Sequence, residues 1–239
     1  MKVLHYERVS STNDVALRLV AEGAEDRTVV TASEQTEGRG RRGASWVSPP
    51  GANLYFSLIL RPDIPFEPAR VAEFAFVAAI AIAKTLRQMK VEAGIKWPND
   101  VLVKDRKISG ILVESSPSRE AVVIGVGINV NWTAIPEELV GKATSIALET
   151  ERTVPIEACL NVVLQQLDES LKLHEQGFAK TLSLWRSLEC TSGRKIRTMT
   201  EKKEVTGTAV GIDEQGGLLV QLSSGDTIVV TAAGALIED

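Results

Sequence analysis

Three glycines and three arginines stand within six residues, Gly38-Arg39-Gly40-Arg41-Arg42-Gly43, and no other stretch of the chain is as concentrated. Glycine lets backbone N–H groups come close to a ligand and adopts positive φ. Arginine carries planar, permanently charged donors that suit phosphate and carboxylate oxygens. The stretch therefore predicts a loop that binds an anion. A tight turn carrying solvated arginines is the alternative that its composition leaves open.

The same glycines match the G-x-G-x-x-G pattern of dinucleotide-binding loops, which requires a strand before them and a helix directly after. A strand-like run, Thr28 to Ala32, does precede the loop, but Pro49 and Pro50 follow it and disfavour an immediate helix. The next run, Asn53 to Leu60, is again strand-like. A glycine-rich loop between two strands is typical of protein kinases, yet the other kinase signatures and a Walker A sequence are missing. The sequence thus points away from all three nucleotide-binding classes.

Length and composition limit the class of protein. The 239 residues are 44% hydrophobic without an apolar run long enough to cross a bilayer, which predicts a soluble chain with one main domain and room for a small second one. No secretory signal is visible, and Cys159 and Cys190 lack metal-ligand spacing, so free thiols and a cytoplasmic location are expected. The net charge of -4 argues against general nucleic-acid affinity.

Hydrophobic periodicity and capping residues divide the chain into elements. Ser11 or Thr12 can accept from the free N–H groups of a first helix, so capping is the plain explanation of these residues. Gly23 suits the left-handed position at the end of that helix. The remaining prediction is a first strand over 5–10, a long apolar helix over 68–89, a hairpin over 95–114, a strand over 121–130, and helices over 155–175 and 178–188.

The predicted strand over 121–130 contains two glycines. Alternation places Gly125 and Gly127 on one face, together with Asn129. A strip of sheet without side chains can receive a flat ligand, or it can be crossed closely by another backbone. The sequence leaves both readings open.

The character of the chain changes near residue 192, where short strand-like runs alternate with polar and glycine-containing turns. This spacing predicts a small β-barrel of about 45 residues. We therefore expect two domains, residues 1–191 and 192–239. The only histidines, His5 and His174, suggest neither a nucleophilic triad nor a histidine metal site.

In this order, the motifs resemble the catalytic core of the biotin protein ligases, and the resemblance covers almost the whole chain. It is carried by Ser11-Thr12-Asn13, Gln35 with the loop from Gly38 to Gly43, Lys96-Trp97-Pro98-Asn99-Asp100, Lys107-Ile108-Ser109-Gly110, and Gly125 to Asn131 followed by Ala143-Thr144-Ser145. The resemblance implies an α+β fold of the class II synthetase type. In that fold, helices pack on a mixed, mostly antiparallel sheet, and a small SH3-like β-barrel follows.

The resemblance also implies an ATP-dependent ligase that forms biotinyl-AMP from biotin and ATP and passes biotin to one lysine of a biotin carboxyl carrier domain. Catalytic roles fall on Lys107, Arg41 and Asp100, with Asp100 ordering magnesium or the incoming lysine. Lys107 and the arginines would offset the repulsion between the biotin carboxylate and the α-phosphate. The implied contacts to biotin and nucleotide are Ser11, Thr12, Asn13, Gln35, Arg39, Gly40, Arg41, Trp46, Lys107, Gly110 and Asn129. No protein metal site is implied, because magnesium would come with the phosphates.

Several features separate this chain from some relatives. Members that repress biotin genes carry a helix-turn-helix domain before the core, whereas here Met1 lies only ten residues before Ser11, so binding to DNA is not expected. No membrane partner is expected either, and Ser109 stands where many relatives have alanine. The oligomeric state stays open, and a homodimer through an edge strand is compatible with the sequence. The alternatives are a lipoate protein ligase, which lacks this arginine-rich loop, and a non-catalytic biotin or nucleotide sensor.

Overall fold

The main part of the chain is one seven-stranded sheet. The computed structural model describes residues 1–61, 68–199 and 204–231. The strands of this sheet are β1 (Lys2–Val9), β2 (Thr28–Gln35), β3 (Leu54–Leu60), β4 (Gly94–Lys96), β5 (Asp100–Val103), β6 (Arg106–Ser115) and β7 (Val122–Ile128). They lie in the order β1-β2-β3-β7-β6-β5-β4. β1 and β2 run parallel and the other neighbours antiparallel, which confirms the expected mixed, mostly antiparallel sheet.

Helices cover both faces of this sheet. They are α1 (Thr12–Ala21), α2 (Pro68–Val71), α3 (Glu73–Gln88), α4 (Ile146–Thr150), α5 (Ile156–Glu175) and α6 (Phe178–Arg186). Residues of α3, α5 and α6 share one buried apolar cluster with one face of β2, β3 and β7, and α1 packs against the opposite face. No helix in the described ranges is both long and apolar enough to cross a bilayer.

Alternation along β7 decides which face carries the functional site. Val122 and Ile124 belong to the core shared with α3, whereas Val123 belongs to the smaller cluster beneath α1. Because successive side chains alternate between faces, Gly125 and Gly127 lie on the α1 face. The two glycines therefore form a strip without side chains of its own on the face of the sheet that α1 packs against.

The ends of α1 follow from its sequence. Ser11 is the N-cap residue, and its hydroxyl accepts a hydrogen bond from the Asn13 N–H at 3.3 Å. Gly23, two residues after the helix, has φ +84°, as expected for a residue that reverses the chain there. The single helix predicted over 68–89 is wrong in one detail. α2 and α3 are separated at Ala72, whose backbone is still in the right-handed helical region, and Ala75 N–H bonds to the Ala72 carbonyl at 3.1 Å.

The C-terminal strands β8 (Lys195–Met199), β9 (Glu204–Ile212), β10 (Leu218–Leu222) and β11 (Thr227–Val230) form a second, antiparallel sheet in the order β11-β10-β9-β8. The barrel predicted from the sequence is not confirmed, because the described strands give this four-stranded sheet and residues 232–239 lie outside the described ranges. Apolar residues of this sheet, including Ile196 and Leu218, belong to the same buried cluster as α3. The two sheets therefore share one continuous core.

Candidate active site

A cavity of about 450 Å³ lies where the end of β2, the start of α1, the arginine loop and strands β5, β6 and β7 converge. Every residue predicted for the site lines it except Asn129. The predicted residues at the cavity are Ser11, Thr12, Asn13, Gln35, Arg39, Gly40, Arg41, Trp46, Asp100, Lys107 and Gly110. Segments far apart in sequence thus meet around one volume of small-ligand size.

One end of the cavity is a network of polar side chains. The Gln35 side-chain carbonyl accepts hydrogen bonds from Thr12 N–H at 2.9 Å and from the Thr12 hydroxyl at 3.2 Å. The fully buried Ser57 hydroxyl lies 2.8 Å from Thr12 Oγ1 and 2.6 Å from Asn13 Oδ1. The Gln35 amide group donates to Ser48 Oγ at 3.0 Å. These bonds fix the orientation of Thr12 and Gln35 at that end of the cavity.

Ser57 supports the site from beneath and was not among the predicted residues. It is the only strongly polar side chain in the apolar run Leu-Tyr-Phe-Ser-Leu-Ile-Leu of β3, which could have indicated a buried hydrogen bond. A polar residue buried in a strand needs a hydrogen-bond partner, and here the partners are the side chains that begin α1.

The glycine strip is covered by two side chains of the same protein. A Cβ at Gly125 would lie 2.8 Å from Cγ of Asn13, and one at Gly127 would lie 2.7 Å from Cζ2 of Trp46. The strip is therefore not crossed by another backbone, as one reading of the sequence allowed. The side-chain amide of Asn13 packs on Gly125, and the flat indole ring of Trp46 packs on Gly127. Neither could lie there if the strand carried a side chain at that position.

The arginine loop has a defined shape of its own. Arg41–Gly43 forms a short 3-10 turn in which Arg42 has φ 56°, a left-handed conformation that is uncommon outside glycine. Two backbone hydrogen bonds close the loop, from Gly40 N–H to the Ala44 carbonyl at 2.6 Å and from Trp46 N–H to the Gly38 carbonyl at 2.8 Å. The second bond fixes the backbone at Trp46, whose ring covers Gly127.

Two arginines of this loop have carboxylate or amide partners. Arg39 donates to both oxygens of Asp14, at 2.8 and 2.6 Å, and lies 3.7 Å from Glu114. The hydrogen bond with Asp14 raises the pKa of Arg39. Arg41 donates to Asn99 Oδ1 at 3.0 Å. The alternative of a turn with merely solvated arginines does not describe these two side chains.

Lys107 and Asp100 form an ion pair inside the cavity, with Lys107 Nζ 2.7 Å from Asp100 Oδ1. The same ammonium group lies 5.4 Å from the centre of the Trp46 ring, within range of a cation–π contact. The backbone of Lys107 is held by a separate segment, through Lys107 N–H to the Lys142 carbonyl at 2.7 Å and Thr144 N–H to the Lys107 carbonyl at 3.0 Å. The backbone of this lysine is therefore held by residues 142–144, and its ammonium group is held by Asp100.

The cavity wall is strongly positive. Its described lining contains five basic side chains and one acidic one, which are Arg39, Arg41, Arg42, Lys96 and Lys107 against Asp100. Burial, followed by the charge of Arg42, lowers the pKa of Arg41, and the charge of Asp100 acts in the opposite direction. A bound anion would relieve this mutual repulsion, so the electrostatics of the site favour a carboxylate or phosphate ligand.

Asn129 was predicted as a nucleotide contact, but it does not line the cavity. Its side chain is 2% exposed and donates to the Thr144 carbonyl at 2.9 Å, because the strand turns toward the 143–145 segment there. Within the described residues, Asn129 Oδ1 and the neighbouring-face Trp46 Nε1 are buried without a hydrogen-bond partner. Buried polar atoms are usually paired, and of these two residues only Trp46 lines the cavity, so its indole N–H is the one available to a ligand there.

Sequence profiles match both parts of the chain. The profile of the Biotin/lipoate A/B protein ligase family matches residues 5–131, and that of the Biotin protein ligase C terminal domain matches residues 191–235. The biotin--[acetyl-CoA-carboxylase] ligase of Paracoccus denitrificans is 35% identical over 235 residues, which are 94% of this chain and 96% of that protein. The chain belongs to the biotin protein ligase family.

Two further relatives show how far this biotin protein ligase core extends. The bifunctional ligase/repressor BirA of Bacillus subtilis is 32% identical over 230 residues, which are 93% of this chain and 70% of that protein. The biotin protein ligase of Aquifex aeolicus, solved in complex with biotin and ATP, superposes with a TM-score of 0.87 at 30% identity and covers 99% of this chain and 98% of that one. The biotin ligase fold thus accounts for nearly the whole chain.

Proposed function

We propose that the chain is an ATP-dependent ligase that forms biotinyl-AMP and transfers biotin to a lysine of a biotin carboxyl carrier domain. The observation that carries this proposal is the cavity in which Lys107, the arginine loop and the polar start of α1 converge on the glycine strip of β7. The names of the relatives support it, since they include biotin--[acetyl-CoA-carboxylase] ligases and a ligase solved with biotin and ATP.

In the first step, a carboxylate oxygen of biotin attacks the α-phosphorus of ATP. A new P–O bond forms, and the bond to pyrophosphate breaks with its electron pair leaving on pyrophosphate. Two anions must approach each other, so Lys107 and Arg41 would reduce their repulsion and stabilise the charge that develops on the α-phosphate. Holding both reactants in one cavity makes the attack effectively intramolecular.

In the second step, the amine of a carrier lysine attacks the acyl carbon of biotinyl-AMP. A C–N bond forms, the C–O bond to phosphate breaks, and AMP leaves. Asp100, the one carboxylate among the described residues at the cavity, would accept the proton that the amine loses. No covalent enzyme intermediate is required, in keeping with the absence of a paired nucleophile and histidine from the predicted site.

Magnesium would be held chiefly by the phosphates of ATP. No group of three or more metal-ligating side chains occurs in the ranges that the structure describes. Asp100 is the carboxylate that could supplement the phosphate oxygens. The chemistry that magnesium supplies is neutralisation of phosphate charge.

The proposal divides the ligands along the cavity. We assign the polar network of Ser11, Thr12, Asn13 and Gln35 to biotin, because its hydrogen-bonding groups suit the ureido ring. Trp46, Gly110 and Gly127 would form the nucleotide side, where a flat indole already lies on the glycine surface. Arg39 and Gly40 would face the junction of the two ligands.

We also propose a domain boundary, a cellular location and an oligomeric state. The division at residue 191 is supported by the profile that begins there. A cytoplasmic location is supported by the two free cysteines, Cys159 and Cys190. A homodimer through β1, which is an edge strand of the seven-stranded sheet, is compatible with the topology.

A labelling experiment tests the proposal. The purified chain, biotin, magnesium and ATP are incubated with an isolated carrier domain, and with the same domain carrying Lys→Arg at its acceptor. Mass spectrometry should show one added biotinyl group on the first domain and none on the second. Labelling with lipoate in place of biotin would favour the lipoate ligase alternative. No labelling of either kind, together with tight biotin binding, would favour a sensor.

A further inference from the structure

The buried side chain of Trp97 connects the cavity to the C-terminal sheet. Trp97 is 1% exposed and lines the cavity, and its indole N–H donates to the Gly216 carbonyl at 2.9 Å. Its backbone N–H donates to Thr191 Oγ1 at 2.8 Å. Both partners belong to the part of the chain that follows α6, so Trp97 bonds to the C-terminal region twice.

Gly216 lies in the turn between β9 and β10, and this turn has a fixed shape. The Asp213 carboxylate accepts from Gln215 N–H at 2.9 Å and from Gly217 N–H at 2.7 Å. From the other side, Arg186 of α6 donates to the Ile212 carbonyl at 3.0 Å. The Gly216 carbonyl, which accepts the hydrogen bond from the Trp97 indole, therefore belongs to a turn that is held by its own hydrogen bonds.

Close packing leaves this turn little freedom to move. Gly216 has φ +82°, and a Cβ there would lie 2.8 Å from Cζ of the Phe76 ring. Phe76 belongs to α3 and packs against Trp185 of α6 with ring centres 5.2 Å apart. The C-terminal turn thus reaches into the core of the main sheet and meets Trp97 there.

The residues that follow Trp97 hold the two catalytic cations. Asn99 donates to the Ile111 carbonyl at 2.8 Å, accepts from Ile111 N–H at 3.0 Å through its own carbonyl, and accepts from Arg41 at its side chain. Asp100 carries the ion pair with Lys107. One short segment is therefore bonded to the C-terminal turn at Trp97 and to Arg41 and Lys107 at its other end.

We propose that Trp97 is a positioning residue, which uses the β9–β10 turn of the C-terminal sheet to set the placement of Asn99 and Asp100, and through them Arg41 and Lys107. Trp97 does not touch the reacting atoms in this account. The C-terminal sheet thereby becomes part of the machinery of adenylation. The inference rests on the proposed function where it concerns rate, and on the hydrogen bonds alone where it concerns placement.

Trp97→Phe is the test variant, because it keeps an aromatic ring and removes the indole N–H that reaches Gly216. Trp185→Phe is the matched control. Trp185 is also 1% exposed, and its Nε1 is buried without a hydrogen-bond partner among the described residues. Both variants lose one buried N–H and a similar volume, but only the first loses a hydrogen bond to the C-terminal turn.

The first readout is the rate of biotin-dependent pyrophosphate exchange into ATP. For Trp97→Phe we expect kcat to fall about tenfold, as removal of about 1.4 kcal/mol of transition-state stabilisation would give. The KM for biotin should stay within about twofold, because the network of Thr12, Gln35 and Ser57 is unchanged. In an Asp100→Asn background the Trp97→Phe loss should shrink, since coupled positions are non-additive.

The second readout is amide hydrogen exchange, which does not depend on activity. Trp97→Phe should increase exchange in both 95–103 and 213–217, and Trp185→Phe should leave 95–103 protected. Wild-type kcat in a folded Trp97→Phe chain, equal kcat losses in the two variants, or increased exchange confined to 213–217 would each overturn the inference. If the wild-type chain shows no pyrophosphate exchange, the proposed function fails, and hydrogen exchange alone decides on the placement role of Trp97.

Discussion

Lys107 Nζ lies 2.7 Å from Asp100 Oδ1, and the two residues come from neighbouring strands of the main sheet. The register between β5 and β6 pairs Asp100 with Gly110 and shifts between Val101 and Leu102, which brings Lys107 opposite Leu102. The sheet register sets both backbone positions, and the ion pair holds the ammonium group at the cavity. A charge fixed in advance costs no reorganisation when the phosphate reacts.

Loss of this charge should be severe. For Lys107→Ala we expect the rate of adenylation to fall by about two to three orders of magnitude, as when a preorganised donor is removed from an active site. Lys104→Ala is the control, because Lys104 lies on the same hairpin with its side chain 80% exposed. Single-turnover formation of biotinyl-AMP measures both variants. A full rate in Lys107→Ala would remove this lysine from the reaction.

Substitution of the two glycines of β7, Gly125 and Gly127, should affect the binding of different ligands. Alanine at either position creates an overpacked contact costing about 1–3 kcal/mol, which corresponds to roughly 5- to 150-fold in affinity if ligand binding bears the whole cost. Gly125→Ala displaces Asn13 and should raise the KM for biotin, whereas Gly127→Ala displaces Trp46 and should raise the KM for ATP. Steady-state kinetics with each substrate varied in turn measures this. The reverse pattern would contradict the division of the cavity.

Arg41 should retain the adenylate. Its guanidinium is held by Asn99 at 3.0 Å and faces a positive cavity, so a bound acyl phosphate is its best partner. Arg41→Ala should increase the dissociation rate of biotinyl-AMP about tenfold or more, the loss expected for one charge-assisted hydrogen bond. Asn99→Ala should give a smaller increase in the same direction. Stopped-flow fluorescence measures both rates, and an unchanged rate in Arg41→Ala would show that this arginine does not hold the product.

The buried thiol of Cys159 should be chemically inert in the folded chain. Burial raises the pKa of Cys159 to about 12, so the neutral thiol is favoured in the folded state. Folding therefore gains stability from this group below the unfolded pKa of about 8.5 and loses it as the pH rises above that value. Iodoacetamide at pH 8 should leave Cys159 unmodified in the native protein and alkylate it in urea, as read by mass spectrometry. Rapid native alkylation would contradict the packing of α5.

Much of this architecture could be predicted from local sequence. Ser11 caps α1 as its residue type indicates, and the alternation of β7 correctly places Gly125 and Gly127 on one face. Both features depend on residues within a few positions of one another. The division of the apolar segment at Ala72 is a local change in backbone hydrogen bonding, which hydrophobic periodicity does not report.

Contacts between residues far apart in sequence could not be predicted from local sequence patterns. Ser57 meets Asn13 across 44 positions, and Trp97 meets Gly216 across 119. The covering of Gly127 by Trp46 and the exclusion of Asn129 from the cavity likewise depend on how the loop folds back over the sheet. The resemblance to a family indicated which segments form the site. The hydrogen-bond partner of each side chain depends on the three-dimensional fold.

If fixed positive charge lets the two anions react in this cavity, labelled pyrophosphate should exchange into ATP in a biotin-dependent reaction. The wild-type chain should exchange label only when biotin is present, lipoate should not replace biotin, and Lys107→Ala should reduce the rate while biotin still binds. Binding of both biotin and ATP by the wild-type chain without any exchange of label would contradict the account.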